Sequence, residues 1–202
     1  GYIDVAAFIM QYDDMMEFSF GKWGDGNQDI GFKSVNVGTT RITGAELSVS
    51  GQGKINPNLT INIIAGYTYM NPTSLDLDYE YDEFKVGNEV IPLTYKNSGS
   101  DSTILKYRYK HIAKADLEIV YKGISLAGSM RYNSFMKNID KIFTNKPVMN
   151  SLGIIGINEA REKFKDGDLI IDLRAGYQMT KTARLGFIVN NLLNREYMSR
   201  PA

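Results

Sequence analysis

The sequence has no cysteine, one histidine, one tryptophan and only five prolines in 202 residues. Without cysteine there is no disulfide framework and no thiolate metal site. The single histidine, His111, cannot build a histidine-based zinc centre. Charge of neither sign is in excess, 23 Lys+Arg facing 23 Asp+Glu, and no basic cluster stands out, which argues against nucleic acid as a partner. No apolar run approaches the roughly 18 residues of a membrane-spanning helix. Nucleophile elbow, P-loop and paired catalytic carboxylates are all missing, so neither an enzyme nor a cofactor is expected. A signal-peptide pattern is also lacking: Gly1-Tyr2-Ile3-Asp4 opens in mid-strand, which suggests a piece of a longer chain.

What is present is alternation. From Leu105 to Tyr132 one set of alternate positions reads Tyr107, Tyr109, His111, Ala113, Ala115, Leu117, Ile119 and Tyr121, then Ile124, Leu126, Gly128, Met130 and Tyr132. The opposite set carries Lys106, Arg108, Lys110, Lys114, Asp116, Glu118, Ser125, Ser129 and Arg131. A period of two places each set on one face of a sheet, and Lys122-Gly123 closes the pair as a tight hairpin. The twelve residues from Tyr109 to Tyr121, at about 3.3 Å rise and about 45° tilt, span roughly 28 Å, the height of a lipid-facing band between two aromatic girdles. The mean hydropathy of −0.26 does not oppose this, because barrel strands are apolar on one face only.

Further strands are expected at Tyr2 to about Glu17, Arg41 to Ile55, Leu59 to Tyr69, Leu169 to Tyr177 and Leu185 to Asn191, making seven in all. The facing of the first rests on the thinnest pattern, with Ile3, Val5, Ala7 and Ile9 on one side. Tight turns at Asn56, Lys122 and Lys181 alternate with long polar connections near 18–35, 71–103 and 137–167. One plain rim and one decorated rim follow, as in outer-membrane barrels. The fold class expected is all-β: an antiparallel up-and-down transmembrane β-barrel segment. A soluble sandwich would have shorter strands and long loops at both ends.

The run Leu185 to Tyr197, ending an alternating strand in Asn191-Leu192-x-Asn194-x-x-Tyr197, resembles the penultimate strand and following loop of TonB-dependent outer-membrane receptors. Thr43-Gly44-Ala45-Glu46-Leu47 is similar to the Gly-x-Glu strand of that family. Gly66-Tyr67-Thr68-Tyr69-Met70 and Asp168 to Tyr177 resemble the strands that follow it in order. The resemblance implies about seven strands of a larger barrel, residues 1–202 being its C-terminal segment, with plug domain and final strand absent. It implies a Gram-negative outer-membrane receptor taking up a scarce nutrient such as an iron chelate, haem, cobalamin or glycan. The implied partners are outer-membrane lipid, the plug and remaining strands, and the TonB complex. Gly44, Glu46, Asn191, Asn194 and Tyr197 are the residues that carry the family pattern. A passive barrel or adhesin is the alternative, and a soluble carbohydrate-binding sheet a further one.

Outer-loop aromatics are the candidate ligand contacts: Trp23, Tyr79 and Tyr81, since aromatics on loops often carry recognition. The acidic run Asp76-x-Asp78-x-Glu80-x-Asp82-Glu83 invites calcium, but lacks the mid-loop Gly and closing Glu of an EF-hand, so a solvated loop and no metal are expected. His111 reads as an interfacial residue beside tyrosines. Asn58-Leu59-Thr60 matches a glycosylation acceptor, but its place in a tight turn makes the match coincidental.

Overall fold

The computed structural model describes residues 1–23, 29–86 and 88–197, with backbone only for residues 22–23 and 84–86. In chain order the elements are β1 (Tyr2–Tyr12), β2 (Met16–Trp23), β3 (Asp29–Asn36), β4 (Thr40–Asn56), β5 (Leu59–Ser74), β6 (Asp82–Val86), β7 (Glu89–Leu93) and α1 (Tyr95–Ser98). Then come β8 (His111–Tyr121), β9 (Ile124–Asn133), a 3-10 turn (Lys141–Thr144), α2 (Lys146–Ser151), α3 (Ile157–Lys163), β10 (Asp168–Gln178) and β11 (Arg184–Val189).

Seven strands form one antiparallel sheet in the order β1-β4-β5-β8-β9-β10-β11, open at β1 and β11. This is a wall of a barrel rather than a closed one. Its register fixes both faces. Val5 lies opposite Leu47, Leu47 opposite Tyr67, Ile63 opposite Leu117, and Ala175 opposite Leu126 and Phe187. Directly opposed residues share a face, so the apolar set is continuous across the sheet and β1 faces as expected. Ile3, Val5 and Ile9 are 70–75% exposed, and Phe187 is 68%. A bare apolar face of this extent is what lipid covers.

The other face is charged and internally paired. Arg174 donates to Asp116 at 2.6 Å, Arg131 to Asp172 at 3.3 Å, and Asn62 to Glu118 at 2.9 Å. On the lumen side Arg131–Asp172 and Asn62–Glu118 lace adjacent strands, while Arg174–Asp116 reaches from β10 across β9 to β8.

The tight turns follow from local chemistry. Asn56 Oδ1 accepts the Asn58 N–H at 2.9 Å, turning the chain between β4 and β5. Lys122 and Gly123 both take positive φ, 47° and 83°, the geometry of the two-residue hairpin that matches strand twist. Thr180 Oγ1 accepts from the Thr182 and Ala183 amides. Among the described residues no helix is long and apolar enough to cross a membrane, which says nothing of a barrel.

Three expectations shift. The first strand ends at Tyr12, and the chain re-forms as a separate β2-β3 hairpin within the 18–35 connection. The 71–103 connection likewise holds the β6-β7 hairpin and α1, while residues 137–167 hold the 3-10 turn and two short helices. Most consequentially, β8 starts at His111, not Leu105. Leu105 and Lys106 are fully buried in the connection, and Tyr107 takes a φ of 57°, which strand geometry excludes. Tyr109 therefore leaves the outer girdle. Tyr67, Tyr69 and His111 remain on the lipid face, with the Tyr67 hydroxyl 2.7 Å from His111 Nδ1.

Candidate functional site

The three long connections pack into one body, and its position follows from the sheet register. Thr40, Ile42 and Gly44 lie on the same face as Glu46, the lumen side, as do their partners Pro72 and Met70. Thr40 and Pro72 are buried, and Ile42 packs against a cluster of Val35, Val37, Tyr95 and Leu105. Thr40 Oγ1 also donates to the Met15 sulfur. The connections thus lean over the lumenal side of the rim instead of splaying outward. A second apolar cluster, Ile139, Phe143 and Met149, collects Phe20 and Tyr107 around it.

Between these clusters lies a buried polar network. Lys106 and Asp140 form an ion pair at 2.5 Å, each side chain only 2% exposed. Asp140 also accepts from Ser19 Oγ at 3.0 Å, the Phe20 amide at 2.8 Å and the Tyr107 hydroxyl at 2.5 Å. Lys106 donates in addition to Ser19 and Ser98. Such satisfaction is what lets a buried pair persist, since desolvation otherwise exceeds the Coulombic gain. Glu17 sits alongside, accepting from the Tyr95 hydroxyl at 2.5 Å and from Arg108 at 3.3 Å. Burial raises the Glu17 pKa, against the lowering pull of Tyr95 and Arg108. Burial first, and the Glu17 charge second, push the Tyr95 phenol far above its ordinary value. Burial and Asp140 do the same to Tyr107.

Above this network opens a cleft of about 650 Å³ between the three connections. Its walls include Phe20, Leu93, Ile142 and Val148, with Ser19, Asn97, Ser98 and Asn145 as polar groups. A concave, mostly apolar cleft of this size with a few polar groups suits a small-molecule ligand. Hollows of comparable size beside Leu117, Leu126 and Phe187 lie on the lipid face and belong to the wall.

Of the sequence candidates, Tyr81 lines the cleft. Its hydroxyl is 3.4 Å from Ser19 Oγ, and the Lys106 ammonium lies 5.8 Å from its ring centre. Tyr79 is elsewhere, its ring flat against Gly38, where an added Cβ would meet it at 2.9 Å. Trp23 ends β2, opposite Asp29; its side chain is outside the described residues. The acidic run is spread out, Asp78 pairing with Lys96 and Asp82 with Lys33. Among the described residues no three metal-ligating side chains converge.

Glu17, Lys106 and Asp140 were not legible as site residues. Lys106 sits in an alternating run that reads as strand, and its partner is 34 residues away. One signal was available: Ile139, Ile142 and Phe143 have helical spacing within a polar connection, which marks a buried turn there.

The residues of the family pattern occupy structural positions. Gly44 lies beneath the Phe8 ring, where a Cβ would come within 2.4 Å of Phe8 Cζ and of the Tyr69 carbonyl oxygen. Glu46 is on the lumen face and accepts from Thr68 at 3.3 Å. Asn191 and Asn194 take φ of 51° and 46°, a region asparagine tolerates better than most residues. The Asn191 side chain grips the Arg195 backbone at both its N–H and its carbonyl, each at 2.9 Å. Tyr197 is half exposed.

No curated protein matches the chain. Among solved structures, the crystal structure of the siderophore receptor PiuA from Acinetobacter baumannii matches with a TM-score of 0.55 and 16% identity. The match covers 96% of this chain and 22% of that one, so the chain spans less than a quarter of that receptor's length. At that identity the likeness establishes the fold. Residues 1–192 match the family described as TonB dependent receptor-like, beta-barrel, and the chain belongs to that family of outer-membrane receptor barrels.

Proposed function

We propose that this chain is the C-terminal part of the barrel of an energy-coupled uptake receptor, whose outer connections meet a scarce nutrient before it passes inward. The observation that carries the reading is the cleft of about 650 Å³ enclosed by three connections on the lumenal side of the rim. In the whole protein a plug domain fills the lumen and the TonB complex drives release. A ferric chelate heads the ligand panel, because the similar solved structure is a siderophore receptor; haem, cobalamin and oligosaccharides complete it. Tyr81, at the wall of the cleft, is the contact residue favoured here, and Trp23 and Tyr79 are candidates at the periphery.

The test is uptake by Gram-negative cells expressing the full-length gene, for each labelled compound, with and without a protonophore. Accumulation of one compound that collapses when the inner membrane is de-energised supports the receptor. Uptake indifferent to the protonophore points to a passive barrel. Replacing Tyr81 with Ala should weaken binding of the transported compound to de-energised cells while leaving the assembled receptor level unchanged.

A further inference from the structure

The lipid face between the β8-β9 and β10-β11 hairpins is not flat. On β10, Tyr177 lies between Ile124 and Leu185 nearest the turns, and Ala175 lies between Leu126 and Phe187 one row deeper. The small Ala175 side chain is thus flanked by two large ones, 57% and 68% exposed. Two hollows result, about 440 Å³ at the Tyr177 row and about 570 Å³ beyond it, and Ala175 and Phe187 line both. They make one apolar groove that opens at the turns. From Tyr177 to Leu173 it runs roughly 9 Å into the membrane, at about 3.3 Å rise and about 45° tilt. That depth is within one leaflet of a hydrocarbon core about 30 Å thick.

The rim at which the groove opens is cationic. Residues 47–75, 119–130 and 175–194 hold the three tight turns and the adjoining strand, and they contain Lys54, Lys122, Lys181 and Arg184 but no aspartate or glutamate. Lys122 and Lys181 stand on the turns of the two hairpins that wall the groove. Both are exposed, and neither forms an ion pair among the described residues. The Lys122 ammonium lies 5.4 Å from the ring centre of Tyr121, on the lipid face. Arg184 donates to Ser125 Oγ on the lumen side at 2.8 Å, so it adds charge to the rim without facing lipid. Backbone bonds fix the turns in one row: Lys122 N–H donates to the Asn58 carbonyl at 3.2 Å, and Gln178 N–H to the Gly123 carbonyl at 2.8 Å.

An acyl chain laid in a groove touches protein on its floor and both sides, so it gains more dispersion contact than on a flat wall. Lysines at such a boundary run their stems along apolar surface and hold their ammonium groups at headgroup level, where they attract anionic lipid. We propose that the groove is a binding site for one anionic phospholipid, with an acyl chain over Ala175 and the headgroup phosphate against Lys122 and Lys181. Such a site needs only the membrane barrel, whatever nutrient is taken up and whether or not uptake is energy-coupled.

The test is native mass spectrometry of the intact receptor, delipidated in detergent and offered dioleoyl phosphatidylglycerol or dioleoyl phosphatidylcholine in equal amounts. The wild type should retain about tenfold more of the anionic lipid, as two lysines at a headgroup imply. Lys122→Asn combined with Lys181→Gln should bring phosphatidylglycerol down to the phosphatidylcholine level; asparagine tolerates the positive φ at position 122. Ala175→Phe, apolar for apolar on the lipid face, should also reduce retention while the receptor stays assembled. Equal retention of the two lipids by the wild type overturns the proposal without any variant. So does indifference to Ala175→Phe, which would leave a charged rim and no site. A lipid-free dimer would give the groove to a second copy of the chain and overturn it as well.

Discussion

Two residues make the strongest demands on their neighbours. Gly44 allows the Phe8 ring to lie across β4, and a methyl group there would meet both that ring and the Tyr69 carbonyl oxygen at 2.4 Å. Overpacking of this kind costs about 1–3 kcal/mol. Gly44→Ala should therefore lower the thermal unfolding midpoint of the assembled receptor in detergent. Adding Phe8→Ala should recover only part of the loss, because the carbonyl stays. Glu17 gives a pH signature. Its pKa is raised in the folded state by burial, so the packed connections bind a proton more tightly than the unfolded ones. The resulting stability is full below the ordinary carboxylate value and is lost as pH rises through the raised value. The groups facing Glu17 are Tyr95, Arg108, Lys106 and Asp140. Exchange in β2 and α1 should be slower in mild acid than at neutral pH, after correction for the intrinsic pH dependence of exchange. Glu17→Gln should flatten the difference. An unchanged difference in that variant assigns the effect to another group.

At the scale of elements, the faces of the wall predict opposite fates for similar substitutions. Leu117 is 44% exposed on the lipid face, and an arginine near the bilayer midplane costs about 2–4 kcal/mol. Leu117→Arg should thus abolish the heat-modifiable assembled form in outer-membrane fractions. Ser129 is on the lumen face beside Asp116, to which it donates at 2.7 Å, and Ser129→Arg should assemble. The reverse result would invert the facing of the sheet. This much was legible in the sequence because period-two alternation is a local property, and Asn56, Lys122-Gly123 and Thr180 each carry their own turn chemistry. The Asn191 turn was legible as a pattern but not as a mechanism; only the geometry shows its amide gripping Arg195 from both sides. The hairpins inside the connections were hidden, since Phe20 opposite Phe32 lies among the glycines and aspartates of a loop. Leu105 to Lys110 misled more deeply. The run keeps strand periodicity, yet the Lys106 ammonium finds its carboxylate across 34 residues, and no local pattern encodes a partner so far away. Of the cleft, only Tyr81 was anticipated, for the same reason.

At the scale of the whole molecule, an antiparallel meander sends alternate connections to opposite ends. The three long connections leave one rim, and the turns at Asn56, Lys122 and Lys181 leave the other. In a family of outer-membrane receptors the longer connections face outward, so these three should be at the cell surface. Cysteine replacements test this, because residues 1–202 hold no cysteine of their own. Lys96 and Glu159 are exposed on the long connections, and Asn58 and Lys181 are exposed on the opposite turns. Among the described residues their side chains engage only in surface ion pairs, Lys96 with Asp78 and Glu159 with Lys146, which solvent screens. A bulky membrane-impermeant thiol reagent applied to intact cells should label Lys96→Cys and Glu159→Cys. It should leave Asn58→Cys and Lys181→Cys untouched until the outer membrane is breached. Equal labelling of all four on intact cells would break the assignment of sides, and labelling of the turns alone would place the long connections in the periplasm, where they could not meet a nutrient arriving from outside.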